Sequence, residues 1–247
     1  MFMKKVLNSN WVGAVLTILL RLAIRTRILS DEMLKKWLVL TEERYGGFIK
    51  GVKRRKISPR DPRPHEALYR VGEQGGDRMA FHGYARKYAE YLTSILLNYI
   101  LNDRQITIVE IGILKGTGLA IWDGLFPKGR LIGLDIDLSY IVENMGFLKG
   151  RGAFKGKKPE LYEFDQYLDN SHYMGRILNG DGIDICVDDG VHTAETILLT
   201  LKSMMPYLSK QFVYFVEDNP DVHEQIRKRY PRLNVENAGE LTIITRF

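Results

Sequence analysis

At 247 residues, with 45% hydrophobic and 27% charged side chains, the chain is long enough for one large α/β domain with extensions and too apolar to be disordered. Its single cysteine excludes an intramolecular disulfide framework and suits a reducing cytoplasm. The net charge of +6 is concentrated in one stretch, and no RNA- or DNA-binding motif accompanies it, so nucleic acid is not an expected partner.

Near the N-terminus, Trp11–Ile24 is almost wholly apolar, but Arg21 interrupts it and leaves a run too short to span a bilayer. On a helix, Ala14, Thr17, Arg21 and Arg25 fall along one side, a basic stripe on an otherwise apolar surface. Such a helix suits packing against the rest of the protein or a second copy, or peripheral contact with a membrane. A secretory signal is a third reading, although no clear small-residue cleavage site follows Lys4 and Lys5. Residues 31–45 read as a helix capped by Ser30, with Met33, Leu34, Trp37, Leu38 and Leu40 as its apolar positions. From Lys50 to Arg63, seven basic residues and one acid sum to +6, the excess of the whole chain. Pro59, Pro62 and Pro64 make this an extended loop: a solvated linker, a lid, or a contact for acidic groups or membrane headgroups. Residues 1–77 are thus expected as a helical extension, and 78–247 as the main domain.

A long helix over 78–101, carrying Arg78, His82, Tyr84 and Tyr88, leads into the β-branched run Ile106–Ile111, which reads as a buried strand. Gly112, Gly116 and Gly118 follow as a turn that lets backbone approach a ligand. The next strand, Leu131–Leu134, ends in Asp135, placed to accept hydrogen bonds from ribose hydroxyls. A nucleoside-containing cofactor is therefore expected. The spacing Glu110-x-Gly112-x-x-x-Gly116-x-Gly118 is wider than the dinucleotide fingerprint, which must seat a pyrophosphate. It resembles the first motif of class I S-adenosylmethionine (SAM) methyltransferases, whose cofactor has no pyrophosphate. An NAD-dependent oxidoreductase on a Rossmann-like fold is the alternative.

Further strands are expected at Ile183–Val187 and Phe212–Val216, with crossover helices at 138–146, 167–177, 192–208 and 221–230. Val235 and Leu241–Thr245 make a closing hairpin around Asn237-Ala238-Gly239. Carboxylates cluster at the strand ends: Asp135 and Asp137, Asp165, Asp188 and Asp189, Glu217 and Asp218. In an open parallel sheet ligands bind at those ends, although such acids also cap the helices that follow.

Taken in order, EIGILKGTGLAIW, GLDID, YEFDQ, VDDGVH and VEDN resemble the macrocin O-methyltransferase family, many of whose members are called cephalosporin hydroxylase-like. The resemblance covers roughly residues 78–218. It implies an α/β class I methyltransferase fold, a Rossmann-like sheet of order 3-2-1-4-5-7-6 closed by an antiparallel hairpin, here with an N-terminal helical extension. It also implies SAM and Mg2+ as cofactors. Asp189 and Asp218 match the metal-binding aspartates, and His192 matches the catalytic base. Gly112, Asp135 and the Asp165-Gln166 pair match the SAM site, with the pair near adenine. Glu110, Gly116, Gly118 and Asp188 belong to the same cofactor-binding surface, and Asp188 or Glu217 is a candidate third metal ligand. Where the family usually has serine, this chain has Val191.

The chemistry independently favours such a set. Methyl transfer from a sulfonium is an in-line displacement in which the enzyme mainly positions the partners. An aliphatic hydroxyl with a pKa near that of water lies about 9 pKa units, roughly 12 kcal/mol, above a typical histidine. A divalent ion on the oxygen closes much of that gap, and aspartates offer the hard oxygen ligands that Mg2+ prefers. Zinc is not expected, because Cys186 lies inside an apolar strand and His172, His192 and His223 share no short ligand spacing. The expected function is a SAM- and Mg2+-dependent O-methyltransferase acting on a sugar hydroxyl of a small-molecule or lipid-linked glycoside, a glycosylated natural product or glycolipid. The location expected is cytoplasmic, with peripheral membrane contact and homo-oligomer formation both left open by the N-terminal helix. A non-catalytic binding protein with a degenerate methyltransferase fold is the remaining alternative.

Overall fold

The computed structural model describes residues 29–47 and 76–246, together with Ile18 and Leu22, which are helical and exposed. The rest of the expected helix Trp11–Ile24 and the basic loop Lys50–Arg63 lie outside the described residues. Among those described, no helix is long and apolar enough to cross a membrane. The chain forms two compact units that interleave in sequence. One takes the chain up to Arg104 with Lys115–Pro127 and Tyr140–Lys157, and the other takes Gln105–Leu114, Lys128–Ser139 and everything from Lys158.

The first unit holds helices α1 (Asp31–Arg44), α2 (Ala85–Leu101), α3 (Thr117–Leu125) and most of α4 (Ser139–Gly150). The Ser30 hydroxyl accepts the Met33 N–H and starts α1 as expected, with Asp31 and Glu32 favourably placed in its first turn. Helix α2 starts at Ala85, seven residues later than the expected 78, because Glu42 of α1 captures the N–H groups of Met79 and Ala80 at 2.9 and 3.0 Å. Two N–H groups committed to a carboxylate, followed by Gly83 at φ +73°, make a turn of residues 78–84 instead of a helix. Tyr88 is fully buried and stacks on Trp122 with ring centroids 5.5 Å apart, so it is a core residue.

The second unit is built on a seven-stranded sheet in the order β3-β2-β1-β4-β5-β7-β6. Its strands are β1 (Thr107–Ile111), β2 (Arg130–Asp135), β3 (Glu160–Glu163), β4 (Ile183–Asp188), β5 (Leu208–Val216), β6 (Leu233–Ala238) and β7 (Leu241–Arg246). The first five pair in parallel, and β7 runs antiparallel to both β5 and β6. This is the strand order and closing hairpin expected from the motifs. Helices α5 (Ser171–Leu178), α6 (Ala194–Met204) and α7 (Val222–Arg229) complete the unit. One side of the sheet offers Val109, Ile111, Ile132, Leu134, Cys186, Tyr214 and Ile244. Against it pack Met174 and Ile177 of α5, Ile197 and Leu201 of α6, and Val222 and Ile226 of α7. The β4–β5 connection was expected as one helix to residue 208, but α6 gives way to a 3-10 turn at Met205–Tyr207, where Pro206 cannot supply the next helical N–H. Strand β5 then begins at Leu208, earlier than the apolar run from Phe212 suggests.

At the N-terminal end of β2, Arg130 spends every guanidinium donor. Its Nε and Nη2 grip the two Glu160 oxygens at 3.0 and 2.7 Å. Nη1 meets the Leu178 carbonyl and Asp181, and Nη2 also reaches the Ile177 carbonyl. One side chain thus ties β2 to β3 and to the end of α5. Lysine lacks the planar fork, so it does not substitute for it. Arg130→Lys and Arg130→Ala are both expected to destabilise the protein, the latter by about 2–3 kcal/mol, read as a Tm lowered by several degrees. An unchanged Tm in Arg130→Ala contradicts this clamp.

Candidate active site

Three of the strand-end groups converge. One ligand atom each from Asp189, His192 and Asp218 lies within 4.8 Å of the others, and all three residues are half-buried. His192 Nε2 is 3.9 Å from Asp189 Oδ1. His192 Nδ1 sits 3.2 Å from the Glu217 carbonyl. A carbonyl only accepts, so Nδ1 is the donor in this contact and Nε2 is the nitrogen turned toward Asp189. In its neutral form a ring held this way has its lone pair on Nε2, as a base there requires.

The local backbone explains the convergence. His192 and Asp218 both adopt left-handed conformations, φ +60° and +57°, which non-glycine residues rarely take. Such residues cost of order 1–3 kcal/mol each and persist only where the surroundings hold them. Here Asn219 does much of the holding: its Nδ2 donates to the His192 carbonyl at 2.8 Å. Its Oδ1 accepts the N–H groups of Asp221 and Val222 and so starts α7. Asn219 closes the VEDN segment, but sequence reasoning gave it no role, because an asparagine beside two acids carries no signal of its own. His192 was expected inside a helix. It lies before the helix, whose N-cap is Thr193, with Oγ1 accepting the Thr196 N–H.

Gly112 also shapes the site through the backbone. At φ +79°, a Cβ there would run into the carbonyl carbon and oxygen of Asp189. The Asp189 N–H bonds Ile111 O at 2.9 Å, and the Gly112 N–H bonds Leu134 O at 2.8 Å. The turn after β1 and the loop after β4 are therefore in backbone contact, which only glycine permits. Gly116 is the left-handed N-cap of α3. Gly118, expected in the turn, is the second residue of α3. Glu110 is buried in mid-strand on β1.

Asp135 ends β2 as expected. Its Oδ2 accepts the Leu114 N–H at 2.9 Å and its Oδ1 that of Asp137 at 3.1 Å. Burial raises its pKa, and these main-chain N–H groups pull it back down. The Gly112–Leu114 turn therefore folds around the carboxylate that was expected to meet ribose. Asp165 and Asp137 show the helix- and turn-forming use of strand-end acids, with Asp165 accepting the Tyr167 N–H and Asp137 the Ser139 N–H.

The Asp188-Gln166 pair is not at the surface. Asp188 is 1% exposed and Gln166 5%. Gln166 Nε2 donates to Asp188 Oδ1 at 2.9 Å and to Thr200 Oγ1 at 3.1 Å, while its Oε1 accepts the Val191 N–H at 2.8 Å. The Tyr214 hydroxyl lies 3.4 Å from Asp188 Oδ2. Burial pushes the Asp188 carboxyl up to about 7, against the pull of Gln166 and His192. Neither Thr200 nor Tyr214 stood out in the sequence, since both sit where a buried apolar residue is also at home. Val191 itself is 42% exposed and offers the site an apolar surface beside His192.

Solved structures share this arrangement of strands. The methyltransferase MycE of the mycinamycin biosynthetic pathway, crystallised with Mg, SAH and mycinamycin VI, superposes with a TM-score of 0.53 at 18% identity, over 69% of this chain and 50% of that one. The fold is that of a class I methyltransferase. By sequence, this methyltransferase-fold chain is a relative of sugar O-methyltransferases from polyketide and macrolide pathways. It is 24% identical over 152 residues to the 8-demethyl-8-alpha-L-rhamnosyl tetracenomycin-C 2'-O-methyltransferase of Streptomyces olivaceus, covering 58% of this chain and 35% of that enzyme. It is 26% identical over 125 residues to the mycinamicin VI 2''-O-methyltransferase of Micromonospora griseorubida, covering 47% and 28%. The matched segments thus span about a third of these relatives' length. No protein-family model matches the chain.

The contact between Gly112 and the Asp189 backbone has a direct test. Gly112→Ala is expected to cost about 2–4 kcal/mol, because an L side chain is strained there and backbone must move. Gly146, inside α4, has open space around the corresponding position, so Gly146→Ala is expected to raise stability by about 0.5–1 kcal/mol. Thermal unfolding of both variants checks this, and equal Tm values contradict it.

Proposed function

We propose that the protein is a SAM- and divalent-metal-dependent O-methyltransferase acting on a sugar hydroxyl of a glycosylated natural product or glycolipid. The observation that carries this reading is the convergence of Asp189, Asp218 and His192 at the C-terminal edge of a sheet with methyltransferase strand order. The donor set fits the metal: two carboxylates are the hard ligands Mg2+ selects, and a third position suits water or the acceptor's own oxygens. Imidazole is a poor ligand for Mg2+, which leaves His192 for proton transfer. When bound, SAM supplies an electrophilic methyl group, and the metal ion lowers the pKa of the acceptor hydroxyl.

The residues of the chain then divide the work. Asp189 and Asp218 would hold the ion and so direct the acceptor oxygen. His192 Nε2 takes the hydroxyl proton as the oxygen–carbon bond forms, and the Glu217 carbonyl stabilises the charge that develops on the ring through Nδ1–H. Asp135, at the end of β2, would accept the ribose hydroxyls of SAM. The sequence relatives named for 2'- and 2''-hydroxyl transfer on glycosylated polyketides support a sugar acceptor.

Methyl transfer from labelled SAM to a panel of glycosylated macrolides and polyketides tests the reading. Chelation is expected to remove the activity and Mg2+ to restore it. His192→Ala is expected to lower kcat by about 100-fold or more while S-adenosylhomocysteine binds as before. Full activity in chelator, or a His192→Ala enzyme that turns over normally, contradicts the assignment.

A further inference from the structure

The loop Asp189-Gly190-Val191-His192 is held between two close contacts. On one side, Gly112 admits the Asp189 backbone. On the other, a Cβ at Gly190 would strike the side-chain amide of Gln166, so that the amide fills the space which glycine leaves. We propose that Gln166 is a positioning residue for the candidate metal centre: its amide, locked by Asp188 and Thr200, fixes the Gly190–Val191 backbone and thereby aims Asp189 and His192.

The hydrogen bonds specify the amide's orientation. The Val191 N–H can meet only the oxygen, which turns the nitrogen toward Asp188 and Thr200. Turned over, the amide would set N–H against the Val191 N–H. Both N–H bonds of Nε2 are committed, to Asp188 and Thr200, and the residue is 5% exposed. The amide is thus committed to the loop, where the family resemblance had placed the Asp165-Gln166 pair near adenine. Its partners are anchored in turn. Thr200 lies on α6 and is 1% exposed, while Asp188 ends β4, and its carbonyl accepts the Glu217 N–H at 3.0 Å. Strand β4, helix α6 and the segment after β3 therefore meet at one side chain directly beneath the loop. An isosteric apolar side chain would strand the Val191 N–H and the Asp188 carboxylate together, which loosens the loop where the ligands need fixed directions.

This role rests on the proposed metal centre, so the test reads metal binding apart from turnover. Mn2+ binding to the full chain is measured by calorimetry or electron paramagnetic resonance, and S-adenosylhomocysteine binding is measured beside it. Gln166→Met is expected to weaken Mn2+ binding by about 10-fold or more, the range typical of lost outer-shell support, and to leave S-adenosylhomocysteine affinity unchanged. Thr200→Val is expected to weaken Mn2+ binding in the same direction, and Thr200→Ser, which keeps the hydroxyl, to restore it. The Thr200 pair also decides the matter if Gln166→Met does not fold. Equal Mn2+ affinity across the variants and the parent protein overturns the positioning role alone. Loss of S-adenosylhomocysteine affinity with Mn2+ binding intact makes Gln166 a cofactor contact and also overturns it. A parent protein that binds no Mn2+ overturns the metal centre itself.

Discussion

The backbone contact between Gly112 and Asp189 is the constraint on which the rest of the site depends. A parallel sheet brings the ends of β1 and β4 side by side, but the loops leaving them would normally be kept apart by a Cβ. Removing that Cβ lets the second loop fold over the first turn. The same turn wraps its N–H groups around Asp135, so one glycine links the end of β2 to the loop that carries Asp189 and His192. The proposed cofactor and metal sites are therefore neighbours by construction.

Unfavourable local features collect at this edge and are stabilised elsewhere. His192 and Asp218 hold left-handed backbones, and Asp188 keeps a carboxyl inside the protein. Two of them have specific partners: Asn219 for the His192 carbonyl, and Gln166 and Tyr214 for Asp188. At the opposite end of the sheet, where Asn179 after α5 is also left-handed at φ +49°, the saturated Arg130 clamp ties β2, β3 and α5 together. Strain held in place by specific partners is what a scaffold that presents a preorganised site requires.

The strands and the carboxylates at their ends were legible in the sequence because β-branched runs, glycine spacing and strand-end acids are local signals, whereas the strand order and the grouping of Asp189, His192 and Asp218 came from the family resemblance. What the sequence hid was the local bonding of each group: Asp137 and Asp165 accept turn N–H groups, Asp188 accepts from Gln166, and Gln166 lies beneath the loop, although all are equally polar on paper. The late start of α2 was hidden for a related reason: its turn depends on Glu42, 37 residues before Met79. The left-handed φ of His192 has no sequence signature, since histidine carries none of glycine's permission.

Thermal unfolding with S-adenosylhomocysteine and with NAD, each with and without Mg2+, tests the central claim most directly. A ligand at about 100 times its Kd adds roughly 2.7 kcal/mol, a Tm shift of about 5–10 °C for a chain of this size. A shift with S-adenosylhomocysteine and none with NAD is the result this account predicts. A shift with NAD alone would contradict it and leave the Asp189–His192–Asp218 cluster as a structural feature of some other Rossmann-like protein.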